Sequence, residues 1–276
     1  MIDPMFLHTW HPQPLVATIG TLELHWYGVL LAIASISAIG LLIRQGKRYG
    51  FDSNALFDAA LIIIIVGFIG GRLYHVLNEW SYYRTHLTDI WRVWNGGLAL
   101  HGGLIAGSIA LFFVARRHQW NAWLLADVAA PAVALGQMIG RWGNYCNQEL
   151  FGRPTNLPWG IPIDQRYRPA QYFGQEFFHP TFLYESLGLL LILGGLLFLH
   201  RRYGKQLRAG NFPTGIISLT YLGSYALLRG STELLRLDRT PIIGGVRLPI
   251  LVSGVLLISS IVVLLIRLRR AHAARS

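Results

Sequence analysis

Seven long apolar segments, separated by shorter polar stretches, dominate the pattern of the chain. They cover residues 22–43, 55–77, 97–115, 123–139, 181–200, 215–235 and 248–266. A helix needs about 20 mostly apolar residues to cross a bilayer, and its backbone must satisfy its own hydrogen bonds there. The pattern therefore predicts an all-α fold: a polytopic membrane helical bundle of about seven transmembrane helices, forming a single integral-membrane domain over residues 1–276.

The distribution of basic residues predicts an orientation for this bundle. Loops 44–54, 116–122 and 201–214 and the tail after 266 hold more than half of the 24 lysines and arginines. Because such residues concentrate on the cytoplasmic side, we expect the N-terminus outside and the C-terminus in the cytoplasm. The outer loops 79–97 and 144–180 are rich in aromatic residues, which suits a partly embedded head at the membrane surface. An exposed flexible loop is the alternative for each.

Composition supports a membrane protein and changes the meaning of the positive charge. Hydrophobic residues make up 53% of the chain, charged residues 13%, and the mean hydropathy is +0.42, which excludes an ordinary soluble domain. The net charge of +11 would suggest nucleic acid for a soluble protein. Here it favours membrane lipid with anionic head groups as a partner and no nucleic acid. The single cysteine, Cys146, excludes an internal disulfide.

Polar side chains inside the apolar segments are the candidates for function, because charge within a bilayer is costly. At 1.5 Å per residue, five of them share the predicted outer third of the membrane, each from a different segment: Tyr27, Arg72, His101, Arg141 and Arg229. Tyr225, Arg229 and Glu233 recur every four residues and line one face of a helix. We expect that face to point into the bundle.

Arg141 and Arg229 form the sharpest pair of candidates. Two guanidinium groups at one depth suit a phosphate, which they can grip with paired N–H donors. The alternative is that each arginine pairs with an internal carboxylate, Glu149 or Glu233, and only locks helices together. We favour the phosphate site over this alternative, because there are too few nearby carboxylates to pair with both arginines and His101.

The other candidates each have two interpretations. His101 begins His101-Gly102-Gly103 and is either a general base or a structurally satisfied histidine. Asn144, Asn147 and Glu149 are hydrogen-bonding groups or turn formers, and Gly152 serves a backbone conformation or close packing. Cys146 is a nucleophile or, more often for such a thiol, a packing residue. His75 and His179 lack the spacing of metal ligands, so we predict no metal and no cofactor.

The stretch from Gly140 to Gly152, Gly-Arg-x-Gly-Asn-x-x-Asn-x-Glu-x-x-Gly, resembles the signature of the prolipoprotein diacylglyceryl transferase family. Further matches follow in the family's order: His25-Trp26-Tyr27-Gly28, the run Arg92 to Gly97 leading to His101-Gly102-Gly103, the run His179 to Glu185, and Tyr225-x-x-x-Arg229-x-x-x-Glu233. Together they extend from the first to the sixth apolar segment. Tyr145 and Cys146 depart from the apolar residues that the family often has there.

The resemblance implies a multi-pass enzyme of the bacterial plasma (inner) membrane. Such a transferase moves the diacylglyceryl group of phosphatidylglycerol to the lipobox cysteine of a prolipoprotein signal peptide, forming a thioether and releasing glycerol 1-phosphate. The implied catalytic residues are His101, Arg141 and Arg229. The implied substrate-binding residues are Tyr27, Arg141, Asn144, Glu149, Gly152, Tyr225, Arg229 and Glu233.

Two other classes compete with this interpretation. A lipid or small-solute transporter with a polar outer-leaflet cavity predicts access from both sides and a repeated pair of broken helices, and no internal repeat is visible. An intramembrane protease requires a serine–histidine pair or paired aspartates within the spans, and no such pair stands out.

Overall fold

The computed structural model describes residues 6–20, 22–93 and 96–273, and it is mostly helical. In chain order the elements are α1 (Phe6–Thr9), β1 (Leu15–Ile19), β2 (Leu22–His25), α2 (Trp26–Lys47), α3 (Ser53–Asn78), α4 (Trp80–Tyr83), α5 (Leu100–Arg117), α6 (Ala122–Cys146), β3 (Ile161–Pro162), β4 (Phe177–Phe178), α7 (Thr181–Arg208), α8 (Ile216–Glu233), β5 (Ile242–Ile243), β6 (Val246–Arg247) and α9 (Leu248–Ala273), with short 3₁₀ turns at Leu87–Trp91, Gln165–Tyr167 and Ala170–Tyr172. The strands form three two-stranded antiparallel sheets, which pair β1 with β2, β3 with β4 and β5 with β6. The chain divides into two compact units, Met1–Leu41 with Ala129–Ser276 and Leu42–Val128, which are described separately.

Each of the seven predicted apolar segments is helical over most of its length. Within the described residues, five helices are long and apolar enough to cross a membrane, by length and composition: α2, α3, α6, α7 and α9. The remaining two, α5 and α8, have 18 residues each. The structure is therefore that of a helical protein with several candidate membrane spans.

Four helices, α2, α6, α7 and α9, depart from the predicted segments by four residues or more, and two of these departures involve family-match residues. The first helix begins at Trp26, not at residue 22, because Leu22–His25 forms a strand paired with Leu15–Ile19. Its sequence, Leu-Glu-Leu-His, alternates apolar and polar residues, as strands do. The fourth helix continues to Cys146 instead of ending at 139. The first half of the signature therefore lies on the last turns of α6.

Small residues bring the helices of the first unit close together. An added Cβ at Gly223 of α8 would lie 2.9 Å from Ser260 Oγ of α9, and one at Gly230 would lie 3.4 Å from Ser253 Cβ. Between α7 and α8, a Cβ at Gly188 would meet the side chain of Leu228 at 2.5 Å. Close backbone approach through small residues is typical of membrane helices.

Residues 147–180 fold around a small apolar core that they share with the end of α6 and the start of α7. Its buried members are Tyr145, Phe151, Ile161, Ile163, Phe178 and Phe182. Isolated bridges join Pro154 to Phe178 and Gly152 to Arg236, so the segment is tied to the residues that follow α8. Its position at the membrane surface stays a prediction.

In the second unit, α3 and α5 approach each other through glycines. An added Cβ at Gly70 would lie 2.8 Å from the Gly102 carbonyl oxygen, and one at Gly103 would lie 3.3 Å from that of Gly67. A Cβ at Gly102 would overlap the backbone of Gly70 and the Tyr74 side chain. Because backbone atoms cannot move aside as a flexible side chain can, this contact requires glycine.

We expect Gly102→Ala to destabilise the protein by roughly 1–3 kcal/mol, the usual cost of overpacking. The measurement is thermal unfolding of the protein purified in detergent. Gly194→Ala is the matched control, because no described atom would lie within 4 Å of the added Cβ. Equal melting temperatures for the two variants would contradict the close packing of α3 on α5.

Candidate active site

The end of α6 joins the start of α7 through an ion pair between Arg141 and Glu185. The distance from Arg141 Nη2 to Glu185 Oε2 is 2.6 Å, and the Glu185 side chain is buried. Thr232 of α8 donates a hydrogen bond of 3.2 Å to the other carboxylate oxygen of Glu185. Three helices therefore meet at this carboxylate.

The face of α8 predicted from the four-residue spacing carries a second ion pair, between Arg229 and Glu233. Glu233 is completely buried. Its other oxygen, Oε1, accepts a hydrogen bond of 2.8 Å from Arg247 Nε and lies 2.7 Å from Arg247 Nη2. Glu233 is thus bracketed by two guanidinium groups, one from α8 and one from β6.

Arg236 lies between these two pairs. Its Nη1 is 3.6 Å from Glu185 Oε1, and its Nε is 3.8 Å from Glu233 Oε2 and 2.6 Å from Asp238 Oδ1. Burial lowers the pKa of the Arg236 guanidinium, but the hydrogen bond to Asp238 and the charges of the three carboxylates outweigh burial, and the net pKa is raised. Arg236 is therefore held firmly in its charged form.

These side chains form the arginine–carboxylate cluster. Its members are Arg141, Glu185, Arg229, Glu233, Arg236, Asp238 and Arg247. The four arginines exceed the three carboxylates by one formal positive charge. The Arg141, Arg229 and Arg247 side chains are 16%, 18% and 26% exposed, whereas that of Arg236 is 4% exposed. Arg236 is therefore internal, and the other three arginines are partly exposed.

The expectation that carboxylates near the arginines are too few was wrong. Arg229 pairs with Glu233, as the alternative proposed, while Arg141 pairs with Glu185 and not with Glu149. Glu185 lies 44 residues from Arg141 in the chain, so no local spacing showed the pairing. The pairs still leave N–H donors of both arginines unused by these carboxylates, because a guanidinium has five N–H donors and one carboxylate cannot accept them all.

The second half of the signature forms a turn closed by Glu149. Its Oε1 accepts hydrogen bonds from Asn144 Nδ2 at 2.8 Å and from Asn147 Nδ2 at 3.4 Å. Two residues of this turn that are not glycine, Gln148 and Leu150, have left-handed φ values of 52° and 58°. Both asparagines therefore hold the Glu149 carboxylate, Asn144 from the last turn of α6 and Asn147 from the turn that follows it.

Gln148 holds the turn in place and was not singled out from the sequence. Its buried amide donates to the carbonyl oxygen of Pro12 at 2.9 Å and to Asp164 Oδ2 at 3.0 Å. Its Oε1 accepts from the backbone N–H of Asp164 at 2.7 Å. The signature is thereby tied to the N-terminal arm and to the 147–180 segment. A glutamine in a polar turn gives no sequence signal of such a role.

Tyr27 packs against the end of α6. A Cβ at Gly143 would lie 2.6 Å from Tyr27 Cδ2, so glycine at this position lets the ring rest on the helix. On α8, Tyr225 stacks on Tyr221 with ring centroids 6.0 Å apart. Tyr221 in turn donates a hydrogen bond of 2.8 Å to Gln137 Oε1. Both predicted tyrosines thus belong to the unit that holds the arginine–carboxylate cluster.

Gly152 is required for close packing and not for an unusual backbone conformation. It is absent from the described glycines with positive φ. A Cβ there would lie 2.7 Å from His179 Cβ and 3.2 Å from the Leu235 carbonyl oxygen. The glycine therefore lets the signature turn approach both the start of α7 and the residues after α8.

His101 and Arg72 belong to the Leu42–Val128 unit. His101 is exposed at the start of α5, with its ring centroid 6.2 Å from that of Tyr74. Arg72 is buried, and its guanidinium donates to the backbone carbonyl oxygens of Asp89, Ile90, Arg92, Gly96 and Gly97 at 2.5–3.5 Å. Arg72 therefore shapes the segment that precedes α5.

His75, His179 and Cys146, the other candidates from the sequence, contact neighbouring side chains or are buried. His179 contacts the Tyr184 hydroxyl at 3.1 Å, and His75 packs its ring against Tyr83. Cys146 is a buried thiol at the end of α6. Within residues 6–20, 22–93 and 96–273, no group of three or more His, Cys, Asp or Glu side chains is placed to hold a metal ion.

Several candidate membrane spans in the described residues, together with the family match that follows, indicate a multi-pass membrane protein. The model of the prolipoprotein diacylglyceryl transferase family matches residues 14–266, which is nearly the whole chain. The chain belongs to this family of transferases, and the resemblance drawn from the signature is confirmed.

Individual relatives agree with the family match. The chain is 43% identical over 244 residues to phosphatidylglycerol–prolipoprotein diacylglyceryl transferase of Synechococcus elongatus, covering 88% of this chain and 83% of that protein. It is 40% identical over 257 residues to the Synechocystis enzyme of the same name, covering 92% and 89%. A Nostoc relative with this name is 39% identical over 250 residues, covering 90% and 86%. The similarity therefore extends over nearly the full length of each relative.

Proposed function

We propose that this chain transfers the diacylglyceryl group of phosphatidylglycerol to the lipobox cysteine thiol of a bacterial prolipoprotein signal peptide. The products are a thioether-linked prolipoprotein and glycerol 1-phosphate. The names of the relatives supply the two substrates. The observation that carries the proposal is that Arg141 and Arg229, both partly exposed, belong to one cluster with one excess positive charge.

The reaction needs positive charge beside the phosphate. A bond forms between the cysteine sulfur and the glyceryl carbon, the bond from that carbon to the phosphate oxygen breaks, and the thiol loses its proton. The phosphate leaves as a monoester and gains negative charge. Arg141 and Arg229 hold this phosphate and stabilise the growing charge, an effect that typically contributes about 3–4 kcal/mol for one well-placed donor.

The other predicted residues position the reactants. Glu149, held by Asn144, and the ring of Tyr27 lie at the end of α6 beside Arg141, where they contact the lipid head group. Tyr225 and Glu233 shape the face that presents Arg229, and Gly152 keeps the signature turn against α8. His101 is the candidate proton acceptor on the family resemblance; a thiol pKa lowered by the arginines is the alternative.

The proposed enzyme spans the bacterial plasma membrane seven times, with its N-terminus outside and its C-terminus in the cytoplasm. All seven apolar segments are helical over most of their length, and the basic residues favour this orientation. The acyl chains then enter through a lateral opening between helices. The signal peptide approaches from the outer side.

The test is to incubate the purified chain with phosphatidylglycerol and a lipobox peptide and to measure the peptide by mass spectrometry. We expect a mass gain equal to one diacylglyceryl group on the cysteine. A peptide with serine in place of that cysteine is the matched control and should not change. Peptide cleavage, or lipid movement across the bilayer without a mass gain, would reject the proposal in favour of a protease or a transporter.

A further inference from the structure

We infer that Glu185 and Arg236 are positioning residues that hold the Arg141 guanidinium in place. We call Arg141 and Arg229, which hold the phosphate in the proposed function, the phosphate clamp. This inference rests on the proposed function, which uses Arg141 but assigns no role to these two side chains. Both are buried, so neither presents its charge to a substrate. Each acts through another residue.

The geometry of Glu185 supports this role. One of its oxygens, Oε2, pairs with Arg141 Nη2 at 2.6 Å, while Oε1 accepts from Thr232 at 3.2 Å and faces Arg236 Nη1 at 3.6 Å. Thr232 and Arg236 therefore hold the Glu185 carboxylate independently of Arg141. A guanidinium that is held in place reorganises little as charge develops, which is what makes a fixed dipole or charge effective in catalysis.

Arg236 connects the Arg141–Glu185 ion pair with the Arg229–Glu233 ion pair. It faces Glu185 on one side and Glu233, the partner of Arg229, on the other. Its Nε is anchored by Asp238 at 2.6 Å, and its backbone carbonyl oxygen accepts from Arg247 at 3.0 Å. Arg141 and Arg229 are thus joined through Glu185, Arg236 and Glu233, so the spacing of the clamp depends on side chains that never meet the phosphate.

A simple structural role is the competing explanation, and the matched variants separate the two. Glu185→Gln removes the charge at nearly constant size, and Glu185→Asp keeps it. Arg236→Lys keeps the positive charge but loses the planar fork. Glu176→Gln is the control, because Glu176 is an exposed carboxylate of the same unit.

The experiment measures kcat for transfer to the lipobox peptide and the thermal unfolding of each full-length variant. We expect Glu185→Gln to lower kcat at least tenfold, Arg236→Lys to lower it severalfold, and Glu185→Asp to recover most of the loss. Glu176→Gln should match the wild type. A Glu185→Gln variant that retains wild-type kcat would overturn the inference.

A double-mutant cycle with Arg141→Lys gives a readout that a general loss of stability does not produce. If Glu185 acts through Arg141, adding Glu185→Gln to Arg141→Lys costs little further activity, because residues that act as a unit are not additive. Losses that multiply would overturn the inference. If the wild type shows no transfer, the proposed function fails, and the same cycle applied to glycerol 1-phosphate binding decides this inference separately.

Discussion

Arg229→Ala is expected to lower transfer to the lipobox peptide at least 100-fold. Removing one donor that stabilises developing charge typically costs 10²–10³ in kcat, or about 3–4 kcal/mol. The variant should still fold and insert, because the buried Glu233 carboxylate keeps Arg247 as a partner at 2.7 Å. The loss is therefore expected in kcat and not in the yield of folded protein. Mass spectrometry of the peptide, with thermal unfolding measured in parallel, checks both statements.

One further variant shows whether charge alone is sufficient at this position, and a second serves as its control. Arg229→Lys retains the charge but not the planar fork of donors, and we expect it to recover only part of the activity. Arg208→Ala is the matched control, because Arg208 is an exposed arginine at the end of α7. Near-normal transfer by Arg229→Ala, or an equal loss in Arg208→Ala, would remove the phosphate clamp from the mechanism.

Much of the helical framework follows from the hydropathy pattern. The apolar segments became helices because spanning backbone must bond to itself, and the period of four on α8 placed Arg229 and Glu233 on one face. The first boundary failed because Leu22–His25 alternates like a strand. The end of α6 was placed too early because the polar signature residues 140–146 looked like a loop although they continue the helix.

The charge partners could not be predicted in the same way. Glu185 lies on α7, and Arg236 and Arg247 follow α8, so they meet Arg141 and Glu233 only after the helices have packed. Glu185 was visible in the sequence as part of a family match, but its pairing with Arg141 was not. A buried carboxylate signals that a cationic partner exists; it does not say which one.

Gly152→Ala is the second variant with a large expected effect, and we expect at least a tenfold loss of transfer together with a lower melting temperature. The added Cβ would lie 2.7 Å from His179 Cβ, 3.1 Å from Thr181 Cγ2 and 3.2 Å from the Leu235 carbonyl oxygen. The turn is also hydrogen-bonded at this point, from Gly152 N–H to the His179 carbonyl at 2.9 Å. The backbone on both sides must therefore separate to accept a methyl group.

This separation acts on the clamp through the residues that follow Leu235. Arg236 is bridged to Gly152, so moving the turn away from α8 pulls Arg236 from Glu185 and loosens the hold on Arg141. Gly140→Ala is the matched control within the same signature, because no described atom would lie within 4 Å of its Cβ and alanine favours a helix by about 0.5–1 kcal/mol over glycine. We expect that variant to retain full transfer. If Gly152→Ala were as active as Gly140→Ala, the close approach of the signature turn to α8 would have no part in placing the arginines.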